Sequence, residues 1–288
     1  MFSFKNQMTI IEAIILGIIQ GLTEFIPISS TAHLTLTGNI LGLIDPTNPE
    51  KWTAFIAVVQ LGTLVAVLIY FFRDILGISN NFIIQNFSGK RRSFGSQSIE
   101  SKLGWYIIIG TIPIVFIGLA IKKIIEGNLT KDPLVIAIAL ISLAIILAIA
   151  EKSSKYNRDL KDIKLKDSLL IGLAQAIALI PGSSRSGTTI TAGLFLGFNR
   201  EAAARFSFLL SIPAIFASGI YEFYKSMSFI DTNQIIALLV ATISAGISGY
   251  FSIAFLLNYL KKRSTFLFIW YRIGLGIIIL ILIYARIL

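Results

Sequence analysis

The chain has 288 residues, a mean hydropathy of +0.81, 55% hydrophobic residues and only 14% charged ones, where a soluble domain carries about 25%; a water-soluble enzyme is excluded. No cysteine is present, which removes disulfides, thiolate metal sites and cysteine nucleophiles. The net charge of +10 sits on Lys and Arg between long apolar runs, a pattern that fits a membrane surface and not nucleic acid.

A single all-α, polytopic membrane domain over 1–288 is expected. Residues 8–44 are apolar but hold Glu12, Gln20, Glu24, Pro27, Ser29, Ser30 and His33. They read as a short helix, a break at Pro27 and a second short helix. Irregular backbone at membrane depth is tolerated only inside protein or beside a wet cavity, so the segment is expected to be a re-entrant hairpin. A bilayer core needs roughly 20 apolar helical residues, and 52–72, 103–121 and 133–150 meet that demand. The stretches 74–101 and 151–167 are expected to be solvated loops. Residues 168–199 repeat the broken pattern with Gln175, Pro181, Gly182, three serines and Arg185, a second candidate hairpin. Three more spans follow at 206–221, 232–260 and 264–288, the last holding Arg272, which either faces the bundle interior or snorkels. Six transmembrane helices and two re-entrant hairpins result.

Lys and Arg separate unevenly on this plan. One side collects Arg73, Lys90, Arg91, Arg92, Lys102, Lys152, Lys155, Arg158, Lys161, Lys164, Lys166, Arg200, Arg205, Lys261, Lys262 and Arg263; the other only Lys5, Lys51, Lys122, Lys123, Lys131, Lys225 and Arg286. The richer side is expected to be cytoplasmic, which places both termini outside. The apolar start contains Glu12 and runs into polar residues, so a cleaved signal is not expected.

The two hairpins resemble each other. Ile26-Pro27-Ile28-Ser29-Ser30 matches Ile180-Pro181-Gly182-Ser183-Ser184 at an offset of 154, and Gly17-x-x-Gln20 matches Gly172-x-x-Gln175. Three intervening spans invert the second copy, giving an inverted repeat of the kind that places ligands where broken helices meet near the midplane. Chance similarity between two apolar hairpins is the plain alternative.

Glu12, Gln20 and Glu24 share one side of a helix. A carboxylate at membrane depth must pair with a cation, a metal or a proton; for Glu12, near the surface, protonation or a packing partner suffices. Ser29, Ser30 and Thr31 stand at the start of a helix, where hydroxyls cap and free N–H groups favour an anion such as phosphate. His33, the chain's one histidine, is either a packing residue or a base or orienter three residues from Ser30. In the second hairpin Arg185 needs an anionic partner, and its planar fork suits phosphate; the partner is Glu24, a substrate, or each in turn. Ser184, Ser186, Gly187, Thr188 and Thr189 surround it, with hydroxyls to bind and glycine to let a ligand approach.

The run from Gln20 to His33, followed by Pro181-Gly182-Ser183-Ser184-Arg185-Ser186-Gly187-Thr188-Thr189, resembles the bacterial undecaprenyl-diphosphatase family, also called bacitracin resistance proteins, as do 55–73, Phe206-Ser207-Phe208-Leu209-Leu210 and Tyr271-Arg272. The resemblance covers nearly the whole chain. It implies a multi-pass phosphatase of the bacterial plasma membrane that removes one phosphate from undecaprenyl pyrophosphate, with an active site open to the outside. It aligns Ser30 with the nucleophile and Arg185 with the phosphate-binding arginine. Gln20, Ser29, Thr31, Ser184, Ser186, Gly187, Thr188 and Thr189 are then substrate-binding candidates, and Glu24, His33, Ser30 and Arg185 catalytic ones. The family's acidic motif is Glu or Gln, three residues, then Glu, and this chain has the Gln form. Ala32 stands where glycine is expected, and Ser183 where a bulkier residue is common. A divalent cation, Mg2+ or Ca2+, is expected near Glu24. Ser30 activated by Glu24 or His33, or else an activated water, would attack the terminal phosphorus. The expected partners are the lipid substrate and the bilayer, with a homodimer as the candidate assembly. The competing readings are a transporter or flippase for an anionic lipid and the lipid phosphatases that use two separated histidines, which a chain with His33 alone does not supply.

Overall fold

A computed structural model describes residues 8–226 and 232–287; Lys5, counted above, lies outside them. Every regular element among these residues is helical. Thr9 opens α1 (Ile10–Phe25) with a capping box closed by Glu12, so Glu12 does not extend the polar stripe of Gln20 and Glu24 and serves the helix start instead. Pro27 forces Ile26 into an extended conformation, and α1 stops there. The chain restarts at α2 (Ser30–Ile40), whose N-cap Ser29 has φ 74° and accepts a hydrogen bond at Oγ from the Ala32 amide at 3.3 Å.

The six apolar runs become α3 (Pro49–Tyr70), α5 (Ile99–Ala120), α7 (Pro133–Ser153), α10 (Arg200–Ser226), α11 (Thr232–Leu260) and α12 (Phe266–Tyr284), all long and apolar enough to cross a membrane. Between α3 and α5 stands α4 (Phe72–Phe87), where a solvated loop was expected. Ser79 and three asparagines hide an apolar stripe at helical spacing, Phe72, Leu76, Ile83 and Phe87, exposed on the face turned from α5. A short α6 (Lys122–Glu126) precedes α7. The second broken segment forms α8 (Leu165–Ile177) and α9 (Arg185–Phe195). The four hairpin helices have 16, 11, 13 and 11 residues; at about 1.5 Å per residue none crosses a core of about 30 Å.

The packing pairs off in the same order in both halves of the chain. α1 lies along α11 and α8 along α5, while α3 meets α10 and α7 meets α12. The close approaches match too: a Cβ on Gly17 would strike the Ala241 carbonyl of α11, and one on Gly172 the Gly110 carbonyl of α5. This is consistent with two copies related by inversion. The folded elements, however, correspond at an offset of 155 and not the 154 of the Ile-Pro match. α1 starts at Ile10 and α8 at Leu165; the N-caps are Ser29 and Ser184, with φ 74° and 67°; the turns that end α2 and α9 hold Gly42 and Gly197, both at positive φ. The second break has one more residue between proline and cap, and the cap fixes the register. Ser30 therefore corresponds to Arg185.

Phe25, Phe71, Leu147, Ile190, Phe206, Phe208 and Leu256 form the central core, with Phe208 edge-on to Phe25 and Phe71. At the Lys/Arg-rich end, Glu151 of α7 is buried between Arg200 of α10 and Thr265, the residue before α12, whose hydroxyl donates to it, so three spans are held in register there.

Candidate active site

α1 delivers Gln20 and Glu24 to the first break, one helical turn apart. Buried Glu24 accepts hydrogen bonds at Oε2 from Gln20 Nε2 at 2.7 Å, Ser30 Oγ at 2.8 Å and Gln60 Nε2 at 3.3 Å, and at Oε1 from Arg185 Nη2 at 2.7 Å. One carboxylate thus joins both hairpins and α3. The Arg185–Glu24 pair is nearly shut off from solvent, its side chains 12% and 3% exposed, so little screening weakens it.

Donors remain. Arg185 Nη1 is buried with no hydrogen-bond partner among the described residues, and the first N–H groups of α2 and α9 lack intrahelical acceptors. The first turns of two short helices, whose positive ends favour anions, meet at Glu24 through Ser30 and Arg185. Ser29 and Ser184 hold those helix starts open in backbone conformations that cost about 1–3 kcal/mol each. The Oγ of Ser184 accepts from the Gly187 amide at 3.1 Å, and Ser186 Oγ donates to the Ile26 carbonyl at 3.2 Å, tying the second hairpin to the first break.

The other sequence candidates are placed differently. Thr188 Oγ1 donates to the Arg185 carbonyl, and Thr189 Oγ1 bonds its own helix and Ser207 of α10. Thr31 lies half-buried on the first turn of α2. His33 Nδ1 is 2.7 Å from the Ser29 carbonyl, which only accepts, so Nδ1 carries the proton; in the neutral ring Nε2 then accepts from Tyr271 O–H at 2.6 Å. The two rings stack with centroids 5.6 Å apart and planes 11° from parallel. Among the described residues neither His33 nitrogen bonds to Ser30 or Glu24.

Gln60 and Tyr271 have no role assigned from sequence, and Arg272 has two alternative placements. Gln60 is a lone amide in an otherwise apolar span, a signal that was visible. Tyr271, one of nine tyrosines, stands in the Tyr271-Arg272 pair that carries part of the resemblance, but nothing in the sequence tied it to His33. Arg272 faces inward, fully buried.

Among the described residues no three carboxylate or imidazole side chains cluster as a ready-made metal cage. What fits a cation is narrower: Glu24, and beside it Gln20, whose Oε1 is buried without a partner. A hard divalent ion takes one or two protein oxygens and completes its shell with phosphate oxygens and water, which is what this donor set allows.

The sequence profile described as "Bacitracin resistance protein BacA" matches residues 13–278. The chain is 53% identical over 269 residues to an undecaprenyl-diphosphatase of Syntrophobacter fumaroxidans, covering 93% of this chain and 95% of that one. Proteins of the same name from Prosthecochloris aestuarii and Chlorobium phaeobacteroides are each 53% identical over 285 residues, covering 96% of this chain and 98% of theirs.

Proposed function

Because the chain belongs to the bacitracin resistance protein family, we propose that its undecaprenyl-diphosphatase chemistry is carried by Ser30, Glu24 and Arg185. The enzyme hydrolyses undecaprenyl pyrophosphate to undecaprenyl phosphate and inorganic phosphate, recycling the lipid carrier of cell-wall synthesis and conferring bacitracin resistance.

The observation that carries the mechanism is the 2.8 Å bond from Ser30 Oγ to Glu24 Oε2, the distance at which a base takes a proton. Ser30 Oγ attacks the terminal phosphorus as its proton passes to Glu24. The bond from phosphorus to the bridging oxygen breaks, and undecaprenyl phosphate leaves without needing a proton. Water then attacks the phosphoserine, Ser30 recovers a proton from Glu24, and phosphate departs. Arg185 turns its unused Nη1 to the diphosphate, and the starts of α2 and α9 each face one of the two phosphoryl groups. Glu24 and Gln20 Oε1 are the residues that would hold Mg2+ or Ca2+, which would offset charge on the diphosphate. His33, held by Tyr271 and the Ser29 carbonyl, orients the strained cap ahead of Ser30. Ser29, Ser184, Ser186 and Gly187 shape the two helix starts, Thr31 lies beside them, and Thr188 and Thr189 brace α9 behind the site.

This reading includes two re-entrant hairpins, a homodimer in the plasma membrane, both termini outside, and a site open to the outer face. It is tested by rapid quenching with substrate labelled on the terminal phosphate. Label retained on the intact protein and lost in Ser30→Ala supports it; full turnover by Ser30→Ala would make water the nucleophile.

A further inference from the structure

Arg272 is the largest fully buried side chain among the described residues, and the mechanism above does not use it. Its guanidinium gathers carbonyls from three separate segments. It donates to Pro27 in the first break (3.5 Å), to Gly182 and Ser183 in the second (3.3 and 3.0 Å), and to Ala139 and Leu140 of α7 (3.5 and 3.3 Å). Broken helices at membrane depth leave such carbonyls without intrahelical donors; here one side chain answers both breaks. A Cβ at Gly187 would lie 2.6 Å from Arg272 Nη1, so the first turn of α9 is built around the guanidinium.

No carboxylate pairs with Arg272 among the described residues. Glu24 and Arg185 neutralise each other, whereas Arg272 keeps a net positive charge behind both breaks. A buried charge held only by carbonyl dipoles is costly, and a diphosphate arriving in front of it would relieve that cost.

We propose that Arg272 is a positioning residue of this phosphatase: its planar fork fixes the two breaks so that Ser30 and Arg185 address one diphosphate, and its unpaired charge attracts that anion. The two contributions separate by substitution. Arg272→Lys keeps the charge and loses the five-donor fork; Arg272→Met loses both.

The proposal rests on the diphosphatase reading, so the unmodified chain and Ser30→Ala are assayed alongside. Phosphate release from undecaprenyl pyrophosphate in detergent gives kcat and KM, substrate binding is measured in the Ser30→Ala background, and folded protein is quantified by thermal unfolding. In Arg272→Lys, kcat per folded molecule should fall about tenfold to a hundredfold, as expected for reacting groups displaced by about an ångström, with KM and binding within about threefold of the unmodified chain. In Arg272→Met, binding should also weaken by at least about tenfold. If Arg272→Met does not fold, Arg272→Lys alone decides. Unchanged kcat per folded molecule in Arg272→Lys overturns the proposal, as does binding in a folded Arg272→Met equal to that in Arg272→Lys. A folded but inactive unmodified chain would instead remove the diphosphatase reading itself.

Discussion

Replacing Glu24 with glutamine keeps the shape of the side chain and turns one oxygen into an N–H2 group. In the folded protein three donors, from Gln20, Ser30 and Gln60, face Oε2 and a fourth, from Arg185, faces Oε1. The amide does best by keeping its oxygen toward the three, which sets N–H2 against the guanidinium and leaves Arg185 charged, buried and unpaired. Breaking a buried pair on one side costs about 3–5 kcal/mol, and loss of a positioned base costs about 10²–10⁴ in rate. Glu24→Gln should therefore unfold at lower temperature in detergent and release phosphate at least about a hundredfold more slowly. The double variant Glu24→Gln with Arg185→Met removes the stranded charge, so it should recover most of the lost stability and none of the activity. Recovery of one without the other is the signature of a carboxylate with two separable duties. A Glu24→Gln protein with more than about a tenth of the original kcat would refute its role as base, because that exceeds what a lost general base allows.

Further outcomes follow from neighbouring groups. Tyr271→Phe deletes the phenol that bonds His33 Nε2; the lost hydrogen bond should cost about 0.5–1.5 kcal/mol of stability and, by loosening the imidazole, lower kcat about three- to tenfold, and the kcat effect should vanish in a His33→Ala background. Chelation should abolish turnover and Mg2+ or Ca2+ restore it, whereas full activity in chelator would leave the two arginines as sufficient counter-charge. Because the chain has no cysteine, single exposed positions report sidedness cleanly. Thr47→Cys, between α2 and α3, should react with an impermeant maleimide on intact cells, and Lys161→Cys, between α7 and α8, only after lysis; the opposite pattern inverts the orientation.

Long-range order was legible wherever one physical signal dominated. Twenty-odd apolar residues without charge can do little but span, and all six spans are helices. Glu24 and Arg185 stood out because ionisable groups are so unfavourable in an apolar run, and the structure brings them to 2.7 Å. α4 is hard to read from sequence because its apolar residues come at helical spacing among Ser79 and three asparagines, so mean polarity conceals a one-sided helix. Gln60 and Tyr271 could not be assigned from sequence because their roles depend on which helices become neighbours. His33 illustrates the same limit: three residues from Ser30 on one helix, its ring turns instead toward α12.

The one-residue shift of register between the two hairpins carries a consequence for specialisation. Ser30 and Arg185 occupy the same place, the first residue after a strained serine cap, in α2 and α9. A strictly symmetric molecule would present either two hydroxyls, with nothing to hold the anion, or two cations, with nothing to attack it. On the proposed mechanism, division of labour at that single pair of positions would let one half of the chain strike while the other grips. Neither half, expressed alone, holds a complete reaction centre, and exchanging the two residues should leave the scaffold standing while placing the attacking hydroxyl in the half that has no Glu24.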